Sequence, residues 1–174
     1  SEAERVREEL KRILEDLERV HREVEEAIER IVEELEDVHR RARERVERIL
    51  RELERRGIPK DLLERARKLI EDIKRYLDEN LKESRRLAED VKRKIRENLK
   101  RSREIVERVI RIVDSGDDRE EVLKEIEKMV KESRDTVRRI LEELRELVER
   151  SKRNVEKVLR DLERAVEKIE RDAK

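Results

Sequence analysis

The sequence predicts an all-α protein, an up-down-up three-helix bundle of long, nearly untwisted helices. Three observations carry that expectation. Apolar residues recur at a spacing of 18 within each of three long segments. The positions between them are mostly Glu, Arg and Lys, which are strong helix formers. The two glycines and the single proline of the 174 residues fall at only two places, so only two places interrupt a helix.

Charged residues make up 57% of the chain and apolar residues 34%, a balance that taken alone suggests disorder. The periodicity overrules it, because a repeating apolar stripe gives each helix a face to bury.

Helix 1 is expected over about 2–56, led by Ser1 with Glu4 at capping-box spacing. It divides into blocks of 18 at 4–21, 22–39 and 40–57. Val6, Val24 and Ala42 form one series, and Leu10, Ile28 and Val46 another. Ile13, Ile31 and Ile49 follow, with Leu17, Leu35 and Leu53. The first break is Arg56-Gly57-Ile58-Pro59-Lys60. Gly57 suits the left-handed position after a helix end, with Ile58 folding back on Leu53 as in a Schellman motif. Pro59 suits the first turn of helix 2, expected over about 59–114. Its series include Leu63, Leu81 and Leu99, and Ile73, Val91 and Val109. The second break is Asp114-Ser115-Gly116-Asp117-Asp118. Gly116 ends a helix, and Asp117 with Glu120 caps helix 3, expected over about 118–173. There Val122, Ile140 and Val158 recur with Leu123, Leu141 and Leu159.

Each helix is then ~80 Å long at 1.5 Å per residue, and the short loops make neighbours antiparallel within one domain spanning 1–174. Eighteen residues fill five turns of a straight helix, so no supercoil is expected. One arc of roughly 120–140° per helix closes a single three-helix core and predicts a rod-like monomer. Outside the arcs, pairs such as Glu15–Arg19, Glu18–Arg22, Glu26–Arg30 and Glu44–Arg48 suit i,i+4 contacts.

Polar residues interrupt the arcs at the same spacing. Helix 1 carries His21 and His39. Helix 2 carries Asn80 and Asn98, with Ser84 and Ser102 one turn on. Helix 3 carries Ser133 and Ser151, with Thr136 and Asn154 three residues on. Facing residue numbers sum to roughly 117 across the first loop and roughly 231 across the second. Two layers result. One holds His21, Asn98, Ser102, Ser133 and Thr136, and the other His39, Asn80, Ser84, Ser151 and Asn154. Each is expected to satisfy itself by hydrogen bonds, with Thr136 and Asn154 closing the networks. Slipped or reversed packings would then leave buried polar groups unpaired.

These features resemble the parametrically designed helical bundles with buried hydrogen-bond networks, over all 174 residues. The resemblance implies a designed structural scaffold with no natural biochemical activity. It leaves open an interaction component or a pH-responsive bundle that uses the buried histidines. Ser1, in place of an initiator methionine, suggests a recombinant product trimmed from a tag, so the sequence names no compartment beyond soluble recombinant expression.

Other functions find little in the residues. Lys plus Arg equals Asp plus Glu at 50 each, so no net field draws nucleic acid or an anionic membrane. Nucleic-acid binding would also want stacking residues, and Tyr76 is the one aromatic residue. No apolar run approaches the roughly 20 residues of a membrane span, and no signal peptide is visible. There is no cysteine for a disulfide or thiolate site. The histidines sit ~27 Å apart along one helix, too far to share a metal. His21 with Ser133 lacks the carboxylate and oxyanion hole of a nucleophilic triad. The expectation is therefore no enzyme, no catalytic or metal site, no cofactor and no partner. Met129 is expected to fill a gap in the core, and Tyr76 to pack its ring at the arc's edge with its hydroxyl outward. Spectrin-like repeats are shorter and heptad-based, isolated charged helices lack an apolar stripe, and exchangeable lipid-binding helices use proline-punctuated repeats.

Overall fold

A computed structural model describes residues 1–116 and 119–174. The chain forms three helices, α1 (Glu2–Arg55), α2 (Lys60–Asp114) and α3 (Arg119–Asp172), packed as a bundle, with no strand among the described residues.

The helix ends follow local chemistry. The Ser1 carbonyl accepts from the Arg5 N–H, and its hydroxyl oxygen accepts from the Glu4 N–H at 3.4 Å. The Glu4 carboxylate lies 3.6 Å from the Ser1 ammonium, an ion pair at the capping-box spacing. Gly57 and Gly116 hold φ of 63° and 87°, the left-handed region where a Cβ is strained. After α2, the Gly116 N–H donates to the Val113 carbonyl at 3.2 Å, one of the two Schellman bonds. The Ser115 hydroxyl donates to the Ile112 carbonyl at 2.8 Å, satisfying another orphan acceptor. Pro59 stands just outside α2 rather than in its first turn. Its carbonyl accepts the Leu63 N–H at 3.0 Å, the role of an N-cap residue. The cap expected at Asp117 lies outside the described residues.

Contacts divide the chain into two compact units. Unit 1 comprises 1–29 and 88–144, and unit 2 comprises 30–87 and 145–174. Each takes a stretch of all three helices. The physical reason is that a side chain in a bundle of long helices meets only residues at its own level.

The core of unit 1 gathers Val6 and Leu10 of α1, Val106, Val109 and Val113 of α2, and Ile126 of α3. Met129 is half-buried against this cluster. The core of unit 2 gathers Ala42 and Val46, then Ile70, Ile73 and Leu77, then Val155 and Leu162. Fully burying one such Leu, Ile or Val stabilises by about 1.5–3 kcal/mol. Along α1 the series beginning at Val6, Leu10 and Leu17 are buried throughout, and the Ile13 series is half-buried. In α3 the Val122 and Leu123 series are also half-buried, and the deepest residues are Ile126, Leu162 and Val155. Tyr76 is 39% exposed, so its ring lies more in solvent than an arc-edge position implies.

The charged residues depart from the expected pattern. Glu18 reaches Arg103 on α2 at 3.0 Å instead of Arg22, and Arg19 pairs with Asp16 at 2.9 Å instead of Glu15. Within unit 1, Arg96–Glu25, Lys92–Glu29 and Arg7–Asp114 also join α1 to α2. Within unit 2, Arg85–Glu36, Arg43–Asp78, Lys74–Glu47 and Arg67–Glu54 do the same. In all of these pairs the two residue numbers add to one common total, so both units hold α1 and α2 in the same antiparallel register. Positions flanking an apolar stripe lie closest to the next helix, and long side chains there reach across it.

Candidate functional site

Each unit contains one of the polar layers, and the two are solved differently. In unit 2, His39 is 2% exposed. Its Nδ1 lies 2.8 Å from the Leu35 carbonyl, one helical turn back. A carbonyl only accepts, so Nδ1 carries the ring's proton and Nε2 presents a lone pair. Asn80 meets that lone pair, its side-chain nitrogen 2.8 Å from Nε2. The second N–H of the same amide donates to the Ser151 hydroxyl at 2.7 Å. Ser84 donates to the Asn80 main-chain carbonyl at 2.8 Å, which leaves the Ser151 hydroxyl hydrogen for Ser84 Oγ at 3.5 Å. One amide thus ties α1 to α3 through α2.

Burial holds the His39 imidazole below its ordinary pKa, because desolvation disfavours the charged ring. Arg85 on α2 pushes the same way, while the Leu35 carbonyl and Asp78 on α2 oppose it. From α3, Lys152 stands beside Ser151 and is itself paired with Glu34 and Glu149.

In unit 1, His21 is 3% exposed, and its Nδ1 lies 2.7 Å from the Leu17 carbonyl. The same tautomer follows. Asn98, however, gives its amide to α3 alone, donating to Ser133 Oγ at 3.0 Å and to the Ser133 carbonyl at 3.4 Å. Ser102 donates to Ser133 Oγ at 3.4 Å. Nε2 of His21 is buried and has no hydrogen-bond partner among the described residues. The expected closure by Thr136 is corrected too, since its hydroxyl donates to the Glu132 carbonyl at 2.8 Å, a bond within its own helix. Asn154 is half-buried and makes no hydrogen bond to its layer among the described residues. The structure therefore joins His39, Asn80, Ser84 and Ser151 into one network, and Asn98, Ser102 and Ser133 into another.

Sequence reasoning missed the Leu17 and Leu35 carbonyls. The signal was present, because a side-chain donor in mid-helix meets the main-chain oxygen four residues back.

In comparisons with known proteins, no family model, no curated protein and no solved structure matches the chain. Among the described residues, no group of three or more His, Asp or Glu is placed to hold a metal ion. No described helix is long and apolar enough to cross a membrane. The layers themselves offer neutral amides, hydroxyls and imidazoles, whose chemistry is hydrogen bonding.

Proposed function

We propose that this chain is a designed structural scaffold, without catalytic activity, whose buried polar layers dictate how its helices pair. The observation that carries the reading is the Asn80 amide, which bonds His39 on one side and Ser151 on the other. A buried polar group that loses its partner costs about 1–3 kcal/mol, so packings that separate these three residues are penalised. Apolar replacements of similar volume can raise stability while losing that discrimination.

The test is the variant His39→Leu, Asn80→Leu, Ser151→Ala. It should remain helical and at least as resistant to denaturant. Native mass spectrometry should then find mixed oligomers beside the 21.4 kDa monomer, and NMR should find more than one packing. A single uniquely packed monomer would count against the reading.

A second reading, an acid-responsive bundle, is favoured by one detail. A proton added to His39 Nε2 would face the N–H of Asn80, placing two donors against each other. Loss of helicity or of monomer mass between pH 7.5 and pH 5 that disappears in His39→Gln supports it. A transition that the variant leaves in place rejects it.

A further inference from the structure

Counting hydrogens in the two layers separates them. In unit 2, both amide hydrogens of Asn80, the lone pair on His39 Nε2 and both serine hydroxyl hydrogens find partners. In unit 1, both amide hydrogens of Asn98 go to Ser133. Ser102 donates its hydroxyl hydrogen to Ser133 Oγ, and Ser133 keeps a hydroxyl hydrogen that meets no acceptor among the described residues. On the opposite helix, the lone pair of His21 Nε2 meets no donor. The His21 layer is thus short of one donor and one acceptor at once.

The two deficits belong to one level. Arg103–Glu18 and Arg96–Glu25 bracket His21 and Asn98, as Arg85–Glu36 and Arg43–Asp78 bracket His39 and Asn80. By number, His21 stands to Asn98 as His39 stands to Asn80, and Ser133 to Asn98 as Ser151 to Asn80.

We propose that the His21 layer of unit 1 is a binding site for one internal water molecule. The water donates to Nε2 of His21 and accepts the spare hydroxyl hydrogen of the Ser102–Ser133 pair. Its other hydrogen is free for Ser102 Oγ, which accepts no bond among the described residues. This gives the two to four polar partners that buried waters take. Other occupants fail on chemistry. An ammonium ion leaves the hydroxyl hydrogen unmet, and a carbonyl or carboxylate leaves Nε2 unmet. A proton on Nε2 adds a donor to a layer that already has one too many. A metal ion finds one nitrogen and otherwise neutral oxygens. The guest must donate and accept and still fit a close-packed interior, which selects water. The inference rests on the layers being buried, as the scaffold reading does, but not on their role in choosing a packing.

The test is water-selective cross-relaxation NMR on the isotope-labelled full chain at pH 8. The ring protons of His21 should contact a long-lived water. Those of His39 should contact the Asn80 side-chain amide and no such water. In Ser102→Ala/Ser133→Ala, alanine keeps the helix and the His21 water signal should be lost. Side-chain amide contacts between Asn98 and His21 like those of Asn80 and His39 would overturn the proposal. So would a water signal that survives the double substitution, or its absence from the wild-type ring. Rapidly exchanging solvent at both rings would overturn it and also remove the buried layers on which the scaffold reading stands.

Discussion

Replacing Asn80 by alanine should cost more than replacing Asn98. Asn80→Ala removes the donor that His39 Nε2, a buried acceptor, has among the described residues, at about 1–3 kcal/mol. Ser151 keeps its contact with Ser84. Asn98→Ala removes bonds to Ser133 alone, and Ser133 Oγ keeps its bond to Ser102. His21 Nε2 has no bond to lose. That loss is one ordinary net hydrogen bond to Ser133 Oγ, about 0.5–1.5 kcal/mol, and a longer one to a main-chain carbonyl that adds little. Both variants gain up to roughly 0.7 kcal/mol of helix propensity, which cancels in the comparison. The difference should be about 1 kcal/mol. With a guanidinium m-value of roughly 4 kcal/mol/M, the Asn80→Ala midpoint should lie about 0.3 M below that of Asn98→Ala. Equal midpoints, or a lower one for Asn98→Ala, would refute the assignment of the two amides.

The His39 ring is held below its ordinary pKa of about 6.5 by burial. Below ~6.5 the unfolded chain therefore binds more protons than the folded one, and stability is lost progressively as pH falls towards the folded value. Denaturant midpoints should drop between pH 7.5 and pH 5, by less in His39→Gln than in wild type. Gly57→Ala and Gly116→Ala should each cost about 1–2 kcal/mol by thermal or chemical melting. A Cβ at either meets nothing within 4 Å, so the penalty is one of backbone conformation. Leu10→Ala, in the unit 1 core and fully buried, should cost about 2–5 kcal/mol in the same melts. Arg103→Ala should change the midpoint by under about 1 kcal/mol, because its pair with Glu18 is largely exposed.

The helices and their stops were legible because each depends on spacing or on one residue's backbone preference. Gly57 and Gly116 needed only their lack of a Cβ. The levels of the polar residues followed from loop length. His39, Asn80 and Ser151 meet as that geometry implies. What spacing could not reveal is which acceptor an amide chooses. The same amide at the same register goes to Ser133 alone at Asn98 and is shared between His39 and Ser151 at Asn80. Thr136 was misjudged for a related reason. A hydroxyl in mid-helix has a carbonyl of its own helix within reach, which competes with any partner on another helix. The ion pairs across α1 and α2 were missed because i,i+4 partners were equally available in the sequence.

Asn80 with Ser151 and Asn98 with Ser133 also bear on how the chain reaches its folded state. Because similar layers recur along α3, a competing trap during refolding sets Ser133 against Asn80, with the first turns of α3 unwound to span the short connection from α2. In that trap Asn98 and Ser151 lose their partners, a penalty of about 1–3 kcal/mol for each group left buried. A trap raised by that much is thinly populated and drains quickly. Refolding should therefore run without a slow, misregistered phase. A chain whose layers were purely apolar would have no such bias, and would spend part of its refolding time correcting displaced helices.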